Sequence, residues 1–270
     1  MDKENLRKVQ LIQLELAKEV KRICEENGID YYLTAGSCLG AVRHKGFIPW
    51  DDDLDIGMLR DQYEKFCQIA PQKLDSKYCF QNWNTDDRFA LPFGKVRKKD
   101  TVYQESKAAV SGNNGIYIDI IVYDNVPSKN VGWHLFKLYI LDRIIWMKCK
   151  YRPWREEERI NWVSRLFYLP FQFLSIFFSH GFLTEKFEKV AKSVDNSSEK
   201  VYTQLGERNF YCFKRSWMDH TVEAMFEDTM FRIPANYHEY MTAAYGDYMK
   251  LPPEGQRENR HQIEVLDFGE

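Results

Sequence analysis

The sequence predicts an α/β (α+β) protein, a mixed sheet flanked by helices with a helical, aromatic-rich insertion. Three observations predict it. Apolar residues recur at helical spacing near the N-terminus, short apolar runs of strand length follow through the first half, and a Trp-rich basic stretch then interrupts them.

Leu6, Val9, Ile12, Leu16, Val20 and Ile23 lie on one face of an amphipathic helix, which Asn27-Gly28 ends. Ile29 to Leu33 reads as a short strand, Gly36 to His44 as a turn and short helix, and Leu54 to Met58 as a strand. A helix follows from about Asp61 to Leu74. Tyr78 to Trp83, Gly94 to Arg97 and Thr101 to Gln104 read as strands, with Lys98-Lys99-Asp100 as a turn. Ile116 to Val122 is a nearly continuous apolar run broken by one charge, Asp119. Glu185 to Val194 is helical, Asp195 to Ser198 a loop, and Phe213 to Trp217 and Thr221 to Phe226 short strands. A Tyr-rich helix (Tyr237, Tyr240, Tyr245, Tyr248) leads to Leu251-Pro252-Pro253 and a polar tail holding His261. These elements divide the chain into a catalytic core over 1–130, an insertion over 131–195 and a C-terminal segment over 196–270 that completes the catalytic domain.

The insertion differs in character. Trp133, Trp146, Trp154 and Trp162 fall between Val131 and His180, with eight Lys or Arg against four Asp or Glu. Its apolar run, Leu166 to Phe178, has thirteen residues and contains Pro170 and Gln172. Spanning a bilayer takes about 20. Two readings stand for the stretch: aromatics packed on the catalytic domain, or peripheral contact with a membrane surface.

At 270 residues the chain can bury a substantial core. A net charge of −2 argues against nucleic acid as a partner. The cysteines (24, 38, 67, 79, 149 and 212) show no zinc or disulfide spacing, and MDKENLRKVQ opens no apolar signal region. The expected location is cytoplasmic, with peripheral contact at the inner membrane face for the Trp-rich segment.

Gly36 to Met58, GSCLGAVRHKGFIPWDDDLDIGM, carries the densest chemistry. Asp51, Asp52, Asp53 and Asp55 fill four of five positions, and Leu54, Ile56 and Met58 alternate with them. In one extended strand Asp51, Asp53 and Asp55 project together while the apolar residues face the core. Carboxylates so stacked repel unless a cation neutralises them, and hard oxygen ligands suit Mg²⁺ (or Mn²⁺) shared with substrate phosphates. An acidic run is ordinarily a solvated loop; core-like alternation after it and Gly36-Ser37 before it favour a phosphate-transfer site. Asp53 and Asp55 lead as catalytic, metal-holding residues, and one of Asp51 and Asp52 serves the turn or supports the others.

Asp119 is expensive to bury unpaired. It is either an ion pair with a core cation or a third carboxylate that shares the metal and orients or deprotonates an attacking hydroxyl. Lys95 and Arg97 share a strand face and are candidates to hold donor phosphates, against a surface ion pair. Gly36 and Ser37 open a short helix whose N–H groups and hydroxyl suit a phosphate; Arg43 on that helix is a second phosphate contact or a packing residue, as is His44.

The residues Gly36, Ser37, Leu39, Gly40, Arg43, His44, Gly46, Ile48, Pro49, Trp50 and the following aspartates resemble the LicD family, which includes the fukutin and fukutin-related group. Gly115–Asp124 and Tyr245–Pro253 extend the resemblance over nearly the whole chain. It implies the nucleotidyltransferase fold, with a Gly-Ser turn before a D-x-D strand and a third carboxylate at Asp119 from a later strand. It also implies transfer of phosphocholine, or of ribitol or glycerol phosphate, from CDP-choline or another CDP-alcohol, with CMP leaving. The implied acceptor is a glycan or lipid-linked glycan destined for the cell surface. Trp83, Trp217, Tyr211, Tyr237 and Tyr245 are the aromatics considered for a choline head group; core packing is the alternative for each. The residues alone leave open transfer of a nucleoside monophosphate with pyrophosphate release, and a non-catalytic glycan-binding role.

Overall fold

The computed structural model describes residues 1–105, 114–150, 162–205, 209–259 and 261–269; Trp154 lies outside them. In chain order come α1 (Lys3–Glu26), β1 (Tyr32–Leu33), α2 (Ala35–His44), β2 (Asp55–Leu59) and α3 (Arg60–Lys73). Then follow β3 (Tyr78–Gln81), β4 (Gly94–Lys98), β5 (Val102–Glu105) and β6 (Tyr117–Asn125). Three helices come next, α4 (Val131–Lys148), α5 (Trp162–Phe177) and α6 (His180–Ala191). The rest is β7 (Lys200–Leu205), β8 (Asn209–Lys214), β9 (Thr221–Phe226), β10 (Thr229–Pro234), α7 (Tyr237–Tyr245) and β11 (Ile263–Asp267).

The main sheet is mixed and runs β1-β2-β6-β4-β3, with β7 and β8 continuing from the far end of β6. Among the described residues only β2 and β6 pair in parallel; the other pairs of this sheet are antiparallel. The apolar run of β6 follows from its place: it is central, with β2 on one side and β4 on the other, and Ile118, Ile120 and Ile121 are buried. Gly57 of β2 is equally dictated, because a Cβ there would lie 2.5 Å from the ring of Tyr32.

Helix α1 packs on this sheet through Leu16, Val20 and Ile23, which are fully buried. Asp2 caps it by accepting from the Asn5 N–H at 2.8 Å, and Gly28, at φ +62°, turns the chain out of it. A second apolar cluster joins α4, α5 and α6 through Leu138, Ile145, Trp146, Phe171, Leu183 and Phe187, with Trp83 and Phe89 beside them. A third, smaller cluster sets Tyr103 and Tyr117 against Val9.

Several boundaries differ from the sequence expectation. The aspartate strand begins at Asp55, one residue late, and Gly36-Ser37 lies in the first turn of α2 instead of a separate turn. Residues 200–205, 229–234 and 263–267 form strands that local pattern does not announce; the first two close hairpins with neighbouring strands, and the third pairs with β5, far away in sequence. The strand expected to reach Trp217 stops at Lys214, and Arg215–Trp217 is a 3₁₀ turn.

One ion pair fastens the second cluster to the sheet. Arg60, at the head of α3, donates to Asp124 of β6 through Nε (2.6 Å) and Nη2 (2.7 Å), and reaches Glu188 of α6 at 3.2 Å. Burial opposes the guanidinium's charge, but Asp124 and then Glu188 outweigh it and raise its pKa. Such a bidentate pair is strong only while both partners remain. Arg60→Ala, which strands Asp124 without its cation, is expected to lower unfolding free energy by about 3–5 kcal/mol. Urea denaturation, read beside Asp124→Ala and the double variant, measures the loss and shows whether the two single losses exceed the double.

Candidate active site

The parallel register of β2 and β6 decides the site. Asp55 and Asp119 are direct register partners, and Lys95 of β4 is the partner of Asp119 on its other side. Three neighbouring strands therefore present Asp55, Asp119 and Lys95 in a row on one face. The Lys95 ammonium lies 2.7 Å from Asp119 Oδ1 and 3.2 Å from the centre of the Tyr117 ring. Asp119 thus combines both expectations held for it, an ion pair with a core lysine and a place beside Asp55.

Asp55 is buried, and its pKa is pushed well above the usual carboxylate range. Burial is the largest cause, and Asp53, Asp119 and Asp51 add repulsion that Lys95 only partly offsets. The Asp119 carboxyl is raised too, by burial first, against the opposing pull of Lys95. Among the described residues no side-chain cation pairs with Asp53 or Asp55. This is an acid cluster short of positive charge.

The acidic stretch is not one extended strand, and this corrects the expected common face of Asp51, Asp53 and Asp55. Before Asp55 it is an irregular loop whose backbone is pinned to α1: Gln10 donates to the Asp51 carbonyl and Gln13 to the Asp52 carbonyl, each at 2.9 Å. Two of the four carboxylates are thereby directed elsewhere. Asp51 packs over Gly36, where a Cβ would come within 2.7 Å of its Oδ2, so the glycine makes room for an acid beside the N-terminus of α2. Asp52 turns towards the C-terminal segment and meets His261 Nδ1 at 3.0 Å and the Tyr103 hydroxyl at 3.4 Å.

Helix α2 is seated by polar contacts that start one residue before it. The hydroxyls of Thr34 and Tyr240 are 2.8 Å apart, those of Tyr123 and Tyr240 3.0 Å, and the Ala35 N–H donates to Tyr240 at 3.1 Å. They hold Ala35 at φ +46°, a left-handed conformation that costs a non-glycine residue about 1 kcal/mol or more. Ser37 Oγ accepts from the Asp55 N–H at 2.8 Å, tying the helix to the first residue of β2.

The other anticipated phosphate ligands divide. Lys95 belongs to the cluster. Arg97 shares its strand face and also lies over Tyr117, but donates to Gln81 Oε1 (2.5 Å) and the Gly115 carbonyl (2.8 Å). Arg43 donates to the Tyr248 carbonyl at 2.6 Å, linking α2 to the segment after α7. Of the aromatics considered for a choline, Trp83 packs against Phe187 in the second cluster, Tyr211 is exposed on β8, and Trp217, Tyr237 and Tyr245 pack at the edge of the main core.

Sequence reading passed over two supports. Strand β11 pairs with β5 and brings His261 to Asp52. Burial opposes a charged His261, but Glu105 and Asp52 outweigh it and raise its pKa to about 10. Glu105 accepts a short hydrogen bond from the Tyr117 hydroxyl; burial opposes its charge, yet His261 and Lys95 hold its pKa below the usual range. The first joins residues 209 positions apart and the second residues 12 apart on different strands; the apolar alternation of Ile263 and Val265 is the local trace of the pairing strand.

A divalent cation can be tested against this donor set. Among the described residues no group of three His, Cys, Asp or Glu side chains forms a ready-made metal cage. Asp53, Asp55 and Asp119 are hard oxygen donors crowded enough to need a cation, which suits Mg²⁺ or Mn²⁺ completed by substrate phosphate and water.

The comparisons with known proteins give the family. Residues 28–156 match the family model described as LicD/FKTN/FKRP, nucleotidyltransferase domain. The lipopolysaccharide cholinephosphotransferase LicD of Haemophilus influenzae is 30% identical over 262 residues, which cover 97% of each chain. The mouse ribitol 5-phosphate transferase FKRP is 48% identical over 106 residues, 39% of this chain and 19% of that protein. An uncharacterised protein of Rickettsia typhi is 47% identical over 58 residues, 22% of this chain and 19% of its own. The chain belongs to the LicD family and is a transferase.

His261 gives the site a pH signature. A histidine whose pKa rises on folding contributes stability that is full below its unfolded value near 6.5 and fades as pH rises through about 10. His261→Ala is therefore expected to cost about 1–3 kcal/mol at pH 6. The gap should close towards pH 10. Chemical denaturation of both proteins across that range checks the magnitude and the sign.

Proposed function

We propose that this LicD-family transferase moves a phosphorylated alcohol, phosphocholine in the first instance, from a CDP-alcohol to a hydroxyl of a cell-surface glycan precursor, releasing CMP. The observation that carries the proposal is the row Asp55, Asp119, Lys95 on adjacent strands, with Asp53 close by. Support for the substrate class comes from the relatives, one named for choline phosphate on lipopolysaccharide and one for ribitol 5-phosphate.

Asp53, Asp55 and Asp119 would hold Mg²⁺ or Mn²⁺. When bound, such an ion neutralises the donor diphosphate and eases departure of the nucleotide oxygen. The chain's own groups do the rest. Asp119, placed by Lys95, accepts the proton of the acceptor hydroxyl as it attacks the distal phosphorus in line; its raised pKa suits a base that must also let the proton go. The Lys95 ammonium fixes that carboxylate and lends positive charge next to the reacting phosphate. Ser37 sets the start of β2 and hence the position of Asp55. Asp52 and Glu105 face His261 and Tyr117 and stay outside the chemistry.

The test is release of CMP from CDP-choline, with Mg²⁺ or Mn²⁺ and crude surface glycan, by wild type, Asp55→Asn and Asp119→Asn. Acceptor-dependent CMP is expected from the wild type alone, with kcat for Asp119→Asn lower by about 10²–10⁴. Phosphocholine released in place of CMP, or pyrophosphate released when CTP replaces CDP-choline, would make the reaction nucleotidyl transfer. Turnover with CDP-ribitol or CDP-glycerol, and none with CDP-choline, would keep the reaction and change the alcohol.

A further inference from the structure

Helix α5 inverts the usual pattern of a surface helix. From Leu166 to Ser179 no residue is charged. Phe171 and Ser175 are buried, but Phe173, Ile176 and Phe177 are 62%, 70% and 65% exposed, and Leu166, Phe167 and Leu169 are exposed beside them. A helix apolar on all sides belongs inside a core or a membrane; this one lies on the outside of the protein with its outward face bare. The neighbouring helices also carry exposed aromatics. Trp133 and Phe136 of α4 are exposed and stacked, and Phe182 of α6 stacks on Phe178 just beyond α5.

We infer that the outer face of α5 is a membrane-docking surface that lies flat in the head-group region of a bilayer containing anionic lipid. Three observations choose this occupant. The neighbouring helices carry an excess of exposed lysines that suits anionic head groups: Lys137 and Lys148 are the exposed charged residues of α4, whose acid Asp142 is buried, and on α6 Lys186 lies over Phe182 and Lys189 is exposed, against one exposed acid, Glu185. The geometry is that of a helix lying in the interface. Among the described residues no single helix is long and apolar enough to cross a membrane. The chain turns by 110° from α5 into α6, and α6 is committed to the protein through buried Leu183, Phe187 and Ala191. Aromatics dominate the exposed residues, and aromatic rings favour the boundary between head groups and acyl chains. The inference also deepens the proposed function on which this last point rests: a glycan acceptor carried on a lipid would be met by an enzyme docked on the same surface.

The experiment is sedimentation of the full chain with vesicles of phosphatidylcholine, with and without phosphatidylglycerol, in the absence of nucleotide and acceptor. The wild type is compared with the triple variant Phe173→Ser, Ile176→Ser, Phe177→Ser and, separately, with Lys137→Gln, Lys186→Gln. The expected result is binding of the wild type to the anionic vesicles, weaker by roughly tenfold or more in the triple variant. The lysine variant should lose the preference for anionic over neutral lipid. Because the serines replace exposed side chains, the triple variant should keep the wild-type melting temperature. It should also keep CMP release with a water-soluble acceptor, which separates failure of docking from failure of the transferase reading. Absence of vesicle binding by the wild type would overturn the inference, as would equal binding by the triple variant. So would light scattering that shows a wild-type dimer turned into a monomer by the three serines, since the face would then join two copies.

Discussion

The structure depends on one constraint, the parallel pairing of β2 with β6. Direct register places Asp55 and Asp119 side by side, and the antiparallel neighbour β4 brings Lys95 against Asp119. Repulsion between buried carboxylates would otherwise open this part of the sheet, and one lysine does not offset it. What surrounds the row holds it together. The tyrosine hydroxyls around Thr34 keep α2 in position, Ser37 ties α2 to β2, and Gly57 lets Tyr32 close over the strand.

The acids at this end of the sheet fall into two groups. Asp52 and Glu105 have partners from the protein itself, His261 for the first and the Tyr117 hydroxyl for the second. Among the described residues no side-chain cation pairs with Asp53 or Asp55, and burial, with its acidic neighbours, drives Asp55 towards its protonated form. A folded protein keeps such an imbalance where a cation or a phosphate-bound metal completes the charge. The division also matches the roles proposed above, Asp52 and Glu105 in the fold and Asp53 and Asp55 in the chemistry.

Much of this was legible in the sequence, for identifiable reasons. The period of Leu6 to Ile23 marked α1, the apolar run around Asp119 marked β6, and the alternation of Leu54, Ile56 and Met58 marked the core side of β2. Asp119 stood out because a lone charge in a buried strand demands a partner. The acidic run itself was misread as continuous strand, since alternation cannot reveal that Gln10 and Gln13 hold its backbone in a loop. His261 was illegible for a different reason: its partner Asp52 lies some 209 positions away, and only the closing of β11 on β5 brings them together. Lys95 and Arg97 shared the expected face, yet cross-strand neighbours gave one to Asp119 and the other to Gln81.

The two glutamines of α1 carry a consequence for how such a site can change. They grip main-chain carbonyls, so the shape of the acidic loop is set by atoms that every amino acid possesses. Loop conformation and loop chemistry are therefore separable properties. Side chains at 51–53 can be exchanged without removing the main-chain grip that Gln10 and Gln13 supply. Divergence of donor or acceptor within such a scaffold can proceed by exchange of side chains, with no new fold to be found at each step.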